Sequence, residues 1–236
     1  MLSTARLYAI LDLGYVPEES AEKVTASLLA GGADLLQLRA KNHDLATIER
    51  VARRLLPICR AAGVPFILND HPGLAATLDA DGVHIGQDDG SLADARRAVE
   101  SARGIQSAMD RGIHSGLHSF LHSSSSPRPF LFGRSTHSLE QARAALAEGF
   151  DYIGFGPLFP TPTKAGRPGI GLEEIAVMEQ DVGKNIPAYC IGGITSETLD
   201  QVLAAGARRA VVVSALLQAP DVEAATRHIK ARLGGR

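Results

Sequence analysis

The sequence predicts an α/β chain of the (β/α)8 barrel (TIM barrel) class, one domain over residues 1–236 with an insertion between strands four and five. Three observations lead there. Short apolar runs alternate eight times with segments of helical periodicity. Runs such as Ala210-Val211-Val212-Val213 have no polar face, as expected of strands buried on both sides in a parallel sheet. After the first strand there is neither a G-x-G-x-x-G turn nor a Walker lysine, which disfavours an open doubly wound nucleotide-binding sheet. The length of 236 residues suits one barrel, which typically takes about 250.

Leu7–Leu11 reads as strand one, ending at Asp12, and Pro17-Glu18-Glu19 opens a helix to Ala30 that stops at Gly31-Gly32. Asp34–Leu38 is strand two, delivering Gln37, Arg39 and Lys41 at its end. Asp44 is the N-cap of a helix with the apolar face Leu45, Ile48, Ala52, Leu55 and Cys59, closing at Gly63, with a kink expected at Pro57. Pro65–Leu68 is strand three, before Asn69-Asp70. A short helix over Pro72–Leu78 leads to strand four, Gly82–Ile85, then Gly86-Gln87-Asp88-Asp89 and a helix over Ser91–Ser101. Residues 103–128, with the serine run Ser123–Ser126, break the pattern and read as the insertion. Strand five, Phe130–Gly133, precedes Arg134-Ser135-Thr136-His137 and a helix over Leu139–Glu148. Strand six, with Tyr152, Ile153 and Phe155, breaks at Gly156-Pro157 into a long Pro-, Gly- and Thr-rich loop. Helices over Leu172–Gln180 and Ser196–Ala205 flank strand seven, Ala188–Ile191. Strand eight, Ala210–Val213, and a helix from Asp221 complete the chain. Four strands are approached through similar turns, Gly32-Ala33-Asp34, Asp81-Gly82, Gly149-Phe150-Asp151 and Gly206-Ala207-Arg208, each expected to hold its glycine in the left-handed conformation.

Apolar residues make up 45% and charged residues 21%, enough for a packed core, and a net charge of −2 with no basic block gives no reason to expect nucleic acid. No apolar stretch approaches the ~20 residues that span a bilayer, and the N-terminal apolar run is too short for a signal peptide. Cys59 and Cys190 are expected as buried free thiols, fitting a reducing, cytoplasmic compartment. Nothing in the sequence fixes the oligomeric state.

A barrel puts its chemistry after the C-terminal ends of its strands. There this sequence offers Arg39 and Lys41, Asn69 and Asp70, Asp88 and Asp89, Ser135 and His137, and Thr161, Thr163 and Lys164. Asp70 and Asp89 follow adjacent strands and either converge on one magnesium ion, leaving positions for water and phosphate oxygens, or cap the helices that follow. Arg39 is suited to gripping phosphate in a bidentate way, while Lys41 and Lys164 act as point charges. Gly192-Gly193 and Val213-Ser214 end strands seven and eight, where barrels often bind phosphate with backbone N–H groups. Two anion sites on one rim imply two small phosphorylated substrates, one of them a diphosphate. Asp12 either orients a ligand or caps a turn. His84 is expected to be satisfied within the core or at the rim. His114, His118 and His122 have helical metal-binding spacing but no accompanying carboxylate. No Ser-His-Asp set is visible.

The segments QLRAK (Gln37 to Lys41), LND (Leu68 to Asp70), DGVHIGQDD (Asp81 to Asp89), GRSTHS (Gly133 to Ser138), GPLFPTPTK (Gly156 to Lys164), IGGI (Ile191 to Ile194) and VVSA (Val212 to Ala215) resemble the thiamine phosphate synthase family. They occur in family order and span the chain apart from the insertion. The resemblance implies a transferase joining hydroxymethylpyrimidine diphosphate to a thiazole phosphate with release of pyrophosphate. It implies that Gln37, Leu38, Arg39, Ala40, Lys41, Asn69, Ser135 and Lys164 bind the pyrimidine diphosphate, that Asp70 and Asp89 bind Mg²⁺, and that Thr161, Pro162, Thr163, Gly193, Val213 and Ser214 bind the thiazole phosphate. The implied mechanism is dissociative, with Lys164, Arg39, Lys41 and Ser135 as the catalytic set. Two departures stand out: the insertion, and Arg134, where the synthases often have a small apolar residue. GRS-x-HS also occurs in related thiazole tautomerases, which use a histidine at the position of His137. A tautomerase, or a non-catalytic sensor of thiamine precursors, is therefore the alternative.

Overall fold

Alternation along each strand divides its side chains between two cores. The computed structural model describes residues 2–113, 129–161 and 168–234, and the side chains of all of these but 107–113. Its strands are β1 (Leu7–Asp12), β2 (Leu35–Arg39), β3 (Phe66–Asn69), β4 (Gly82–Ile85), β5 (Leu131–Thr136), β6 (Tyr152–Phe155), β7 (Ala188–Cys190) and β8 (Ala210–Val212). They pair in sequence order, all parallel, and β8 closes on β1. Leu7, Ala9 and Leu11 of β1, like Leu36, Phe66, Val83 and Ile153, belong to the outer core between sheet and helices. Tyr8, Ile10, Leu35, Ile67, Tyr152, Tyr189 and Val211 fill the barrel itself. Burial on both faces is why the strands read as unbroken apolar runs.

Three tyrosines dominate that interior. The rings of Tyr8, Tyr152 and Tyr189 meet edge to face, with centroids 5.8, 5.4 and 6.0 Å apart. Such bulk needs a gap on a neighbouring strand. Gly133 supplies it, since a Cβ there would lie 2.1 Å from Cζ of Tyr152.

The opposite, N-terminal end of the barrel is laced by a repeated device. Asp34 accepts from the backbone N–H of Arg6 and Leu7 (2.8 and 2.9 Å), Asp81 from Phe66 (2.9 Å) and Asp151 from Phe132 (2.8 Å). Each carboxylate precedes one strand and ties down the start of the strand before it. At β8, where Arg208 stands in place of the aspartate, the tie comes from Glu179, which accepts from the N–H of Arg208 (3.1 Å). Gly32, Gly149 and Gly206 enter these turns with φ of 96°, 89° and 108°, as expected. At the fourth turn the left-handed residue is Asp79 (φ 55°), and Gly82 lies inside β4.

The helices are α1 (Ala21–Ala30), α2 (Leu45–Ala62), α3 (Pro72–Thr77), α4 (Leu92–Ile113), α5 (Leu139–Glu148), α6 (Ile175–Met178), α7 (Leu199–Ala204), α8 (Ser214–Leu217) and α9 (Val222–Gly234). Asp44 caps α2 by accepting from Thr47 N–H at 2.8 Å. The helix runs unbroken through Pro57, whose exposed position leaves the carbonyl it cannot satisfy on the solvent side. The N-terminal part of the first expected helix is a separate 3₁₀ turn, Glu18–Ser20, and α6 passes into a π-helical turn, Glu179–Gly183. α4 continues ten residues beyond Arg103, the expected start of the insertion. Arg96 and Arg103, two turns apart on α4, lie over the rings of Phe132 and Phe130 (5.6 and 5.1 Å) and hold the helix to β5. Residues 114–128, with His114, His118 and His122, and also Pro162, Thr163 and Lys164, lie outside the described residues.

Strand ends differ from the apolar pattern on the functional rim. β1, β2, β3 and β5 extend to Asp12, Arg39, Asn69 and Thr136, because the ladder continues through polar residues at the barrel mouth. Arg39, Asn69 and Ser135 thus lie within strands, where the sequence placed them after strand ends. β7 and β8 stop one residue early, before the left-handed Gly192 and Gly193 (φ 98° and 66°) and before Val213.

Candidate active site at the C-terminal rim of the barrel

Asp12 and Arg39 are register partners on β1 and β2, and their side chains form an ion pair. Asp12 also accepts from the N–H of Gly14 at 2.9 Å. The aspartate therefore does both things the sequence left open: it shapes the turn after β1 and fixes the guanidinium at the mouth. Leu38 and Ala40 are buried in the outer core, so only their main chain is available to a ligand. Gln37 lies below the rim, 1% exposed, and donates to the hydroxyl of Tyr8 at 2.6 Å.

Beside Arg39, Lys41 Nζ lies 3.0 Å from Oδ2 of Asp70. Asp70 has φ 65°, a conformation aspartate tolerates better than most residues, and its N–H donates to the carbonyl of His84 at 2.9 Å. The turn brings its carboxyl beside that of Asp89, close enough for each to shift the other's protonation. Burial raises Asp70 above the ordinary carboxylate value and the charge of Asp89 adds to the rise, against the pull of Lys41. Burial acts against Asp89 too. The Gly86 N–H (2.7 Å), the neighbouring Asp70 carboxyl and the charges of Lys41 and Arg134 outweigh it, holding Asp89 below its ordinary value. Two carboxyls so placed share a proton or take up a cation. Among the described residues no group of three or more His, Cys, Asp or Glu is placed to hold a metal. The pair supplies two hard oxygen ligands with other positions left to water or substrate, a set that fits a hard divalent cation such as Mg²⁺ or Mn²⁺ rather than a metal that needs nitrogen or sulfur ligands.

Beneath this rim runs a buried polar chain that the sequence did not reveal. Gln37 reaches Tyr8, the hydroxyls of Tyr8 and Tyr152 are 3.1 Å apart, and Tyr152 lies 3.3 Å from His84 Nδ1. His84 Nε2 is 3.0 Å from Oγ of Ser135. Expected as a satisfied histidine, His84 is one, and it orients a candidate catalytic hydroxyl. The signal for the chain is the register: Tyr8, Gln37 and Tyr152 sit at inward positions, visible only once the strand pairing is known. His137, just after β5, places Nδ1 2.5 Å from the carbonyl of Gly156 and so bridges to the end of β6.

Across the mouth, Thr161, Gly193, Val213 and Ser214 line one small cleft of about 50 Å³ with Pro157 and Ile191. A Cβ on Gly193 would lie 2.6 Å from Cβ of Phe159, so glycine is required where these loops approach. The cleft and the Lys41–Asp70–Asp89 group lie on the same rim, after β6 to β8 and β2 to β4 respectively. A hollow of about 590 Å³ opens on the opposite face, lined by Arg6, Arg208 and Arg209. In barrels of this class that face serves stability.

Residues 7–108 and 124–216 match the family model described as thiamine monophosphate synthase, which leaves 109–123 unmatched within the expected insertion. A protein of Thermus thermophilus named thiamine-phosphate synthase is 42% identical over 232 residues, covering 98% of each chain. One of the same name from Methanocella arvoryzae is 37% identical over 236 residues, again covering 98% of each. The solved structure of a thiamine phosphate pyrophosphorylase from Pyrococcus furiosus aligns with a TM-score of 0.74 at 29% identity, over 98% of this chain and 96% of that one. The chain belongs to the thiamine monophosphate synthase family.

Proposed function

We propose that this protein is a thiamine-phosphate synthase that joins 4-amino-2-methyl-5-hydroxymethylpyrimidine diphosphate to 4-methyl-5-(2-hydroxyethyl)thiazole phosphate and releases pyrophosphate. The observation that carries the reading, beside family membership, is Lys41, Asp70 and Asp89 gathered next to Arg39 at the barrel mouth. In the reaction the C–O bond to the diphosphate breaks with its electron pair leaving on oxygen. The thiazole nitrogen then donates its lone pair to the pyrimidinylmethyl carbon. No protein nucleophile takes part. The protein's task is to stabilise charge growing on the departing diphosphate.

Asp12 already offsets Arg39, so Arg39 serves mainly to position. Lys41 is different. Its side chain is 47% exposed, and a partly exposed ion pair is worth only about 0–1 kcal/mol, so it can exchange Asp70 for a phosphate oxygen at little cost. Lys164, outside the described residues, is assigned the same task on the resemblance alone. Asn69 and the His84-oriented Ser135 flank the pyrimidine diphosphate, and Thr161, Gly193 and Ser214 receive the thiazole phosphate. Mg²⁺ held by Asp70 and Asp89 would neutralise the diphosphate when bound.

A cytoplasmic location is part of the same proposal. No helix among the described residues is long and apolar enough to cross a membrane, and Cys59 and Cys190 are buried free thiols.

Purified protein, both substrates and Mg²⁺ should release pyrophosphate and form thiamine phosphate in equal amounts. Interconversion of thiazole phosphate isomers without pyrophosphate would make it a tautomerase, and binding without turnover would make it a sensor.

A further inference from the structure

Arg134 interrupts an apolar surface and is 8% exposed, yet among the described residues no carboxylate pairs with it. Asp89 feels its charge, but a buried guanidinium without a direct ion pair is costly, so what it contacts matters. Gly133 and Ser135 face the barrel interior, which puts Arg134 on the outer side of β5, over the ring of Phe150 at 5.5 Å. Its register partner is Ile85, the last residue of β4, so its head reaches the loop that leaves that strand. One Nη donates to the carbonyl of Gly90 at 2.6 Å and the other to that of Gln87 at 3.4 Å. The side-chain amide of Gln87 in turn donates to the carbonyl of Ser135. The loop 86–90 is therefore tied to β5 on both sides of Asp89. Its conformation is what aims the Gly86 N–H at Oδ2 of Asp89, 2.7 Å away.

We propose that Arg134 is a positioning residue for the divalent-cation site: through the carbonyls of Gln87 and Gly90 it fixes the loop that presents Asp89 to Asp70. This rests on the reading of Asp70 and Asp89 as metal ligands. The guanidinium acts through geometry, because charge alone has the opposite sign. A cation beside a cation site repels the metal, so if Arg134 acted only by charge, removing it would tighten binding. Loss of an outer partner that orients a ligand typically weakens metal binding by about 10–100-fold.

The test is Mn²⁺ binding to the ligand-free protein, read as free Mn²⁺ by electron paramagnetic resonance, for wild type, Arg134→Met, Arg134→Lys and Asp89→Asn. Arg134→Met keeps the apolar stem and should weaken Mn²⁺ binding about tenfold or more. Arg134→Lys keeps the charge but satisfies one carbonyl, and should weaken it about threefold. Near-UV circular dichroism verifies folding, and if the Met variant does not fold, the Lys variant decides. Wild-type affinity in the folded variants, or tighter binding in the Met variant, overturns the role of Arg134 and leaves the metal site standing. If wild type and Asp89→Asn bind Mn²⁺ equally weakly, the metal reading itself fails and this proposal with it.

Discussion

Lys41 Nζ lies 3.0 Å from Oδ2 of Asp70, whose carboxyl stands beside that of Asp89. One cation and two carboxyls thus converge at the barrel mouth, the group to which the proposed function assigns the diphosphate and its metal.

The roles of these three residues separate by kinetics. Lys41→Met removes a charge needed most in the transition state, so kcat should fall about 10²-fold with a smaller change in KM for the pyrimidine diphosphate. Asp70→Asn and Asp89→Asn should instead raise the Mg²⁺ concentration needed for half-maximal rate, and chelation should silence the wild-type enzyme reversibly. Initial rates of pyrophosphate release across a Mg²⁺ series distinguish the two patterns. A Lys41→Met enzyme with wild-type kcat would remove Lys41 from the mechanism.

The chain from Gln37 to Ser135 is structural support for that site. Tyr152→Phe removes a buried hydroxyl lying 3.1 Å from that of Tyr8 and 3.3 Å from His84 Nδ1. The cost should be about 1–2 kcal/mol, or roughly 3–6 °C in Tm for a chain of this size. Tyr8→Phe should behave similarly, and the double variant should lose less than the sum, because the two hydroxyls serve each other. Thermal melts of the four proteins check this, and strict additivity would mean the contact carries nothing.

Eight strands were legible because burial on both faces leaves apolar runs that little else produces. Their polar ends were not, since Asp12, Arg39 and Ser135 stay in the ladder while pointing at the mouth. The rim residues could be collected from the sequence. Their pairing could not: Asp12 with Arg39 and His84 with Ser135 follow from register, which the sequence does not display. The Gly-x-Asp turns were visible as turns. That the aspartates tie down the preceding strands was hidden, because their partners are backbone N–H groups of no particular residue type. Arg134 was hidden in the same way, with carbonyls and a ring as partners.

Glu179 yields a pH-dependent prediction away from the site. It is 4% exposed, Oε1 accepts from Arg208 N–H at 3.1 Å, and Oε2 is buried 3.9 Å from Arg208 Nε with no hydrogen-bond partner among the described residues. Burial raises its pKa above the ordinary value of 4.5, against the pull of that N–H and of Arg209 and Arg208. With the folded value above the unfolded one, the folded state holds more protons between them, so stability falls as pH rises through that window. Glu179→Gln keeps an acceptor for Arg208 and lacks the charge. It should be more stable than wild type at pH 7 by on the order of 1 kcal/mol, with the difference closing as pH falls through that window and gone once the pH is below 4.5. Urea titrations at several pH values read this directly, and a gap independent of pH would assign the effect to packing.

Gly193 gives a separate test of the proposed thiazole-phosphate half of the site. Its φ of 66° disfavours any side chain, and an added Cβ would meet Cβ of Phe159 at 2.6 Å, on the loop that carries Thr161. Gly193→Ala must therefore shift the loops after β6 and β7 against each other, moving two walls of the cleft formed by Thr161, Gly193, Val213 and Ser214. The Lys41–Asp70–Asp89 group, carried after β2 to β4, is untouched by this shift. KM for the thiazole phosphate should rise about tenfold or more, with KM for the pyrimidine diphosphate and the Mg²⁺ requirement within about twofold of wild type. Equal changes in both KM values would mean that the two halves of the rim are not separate binding sites.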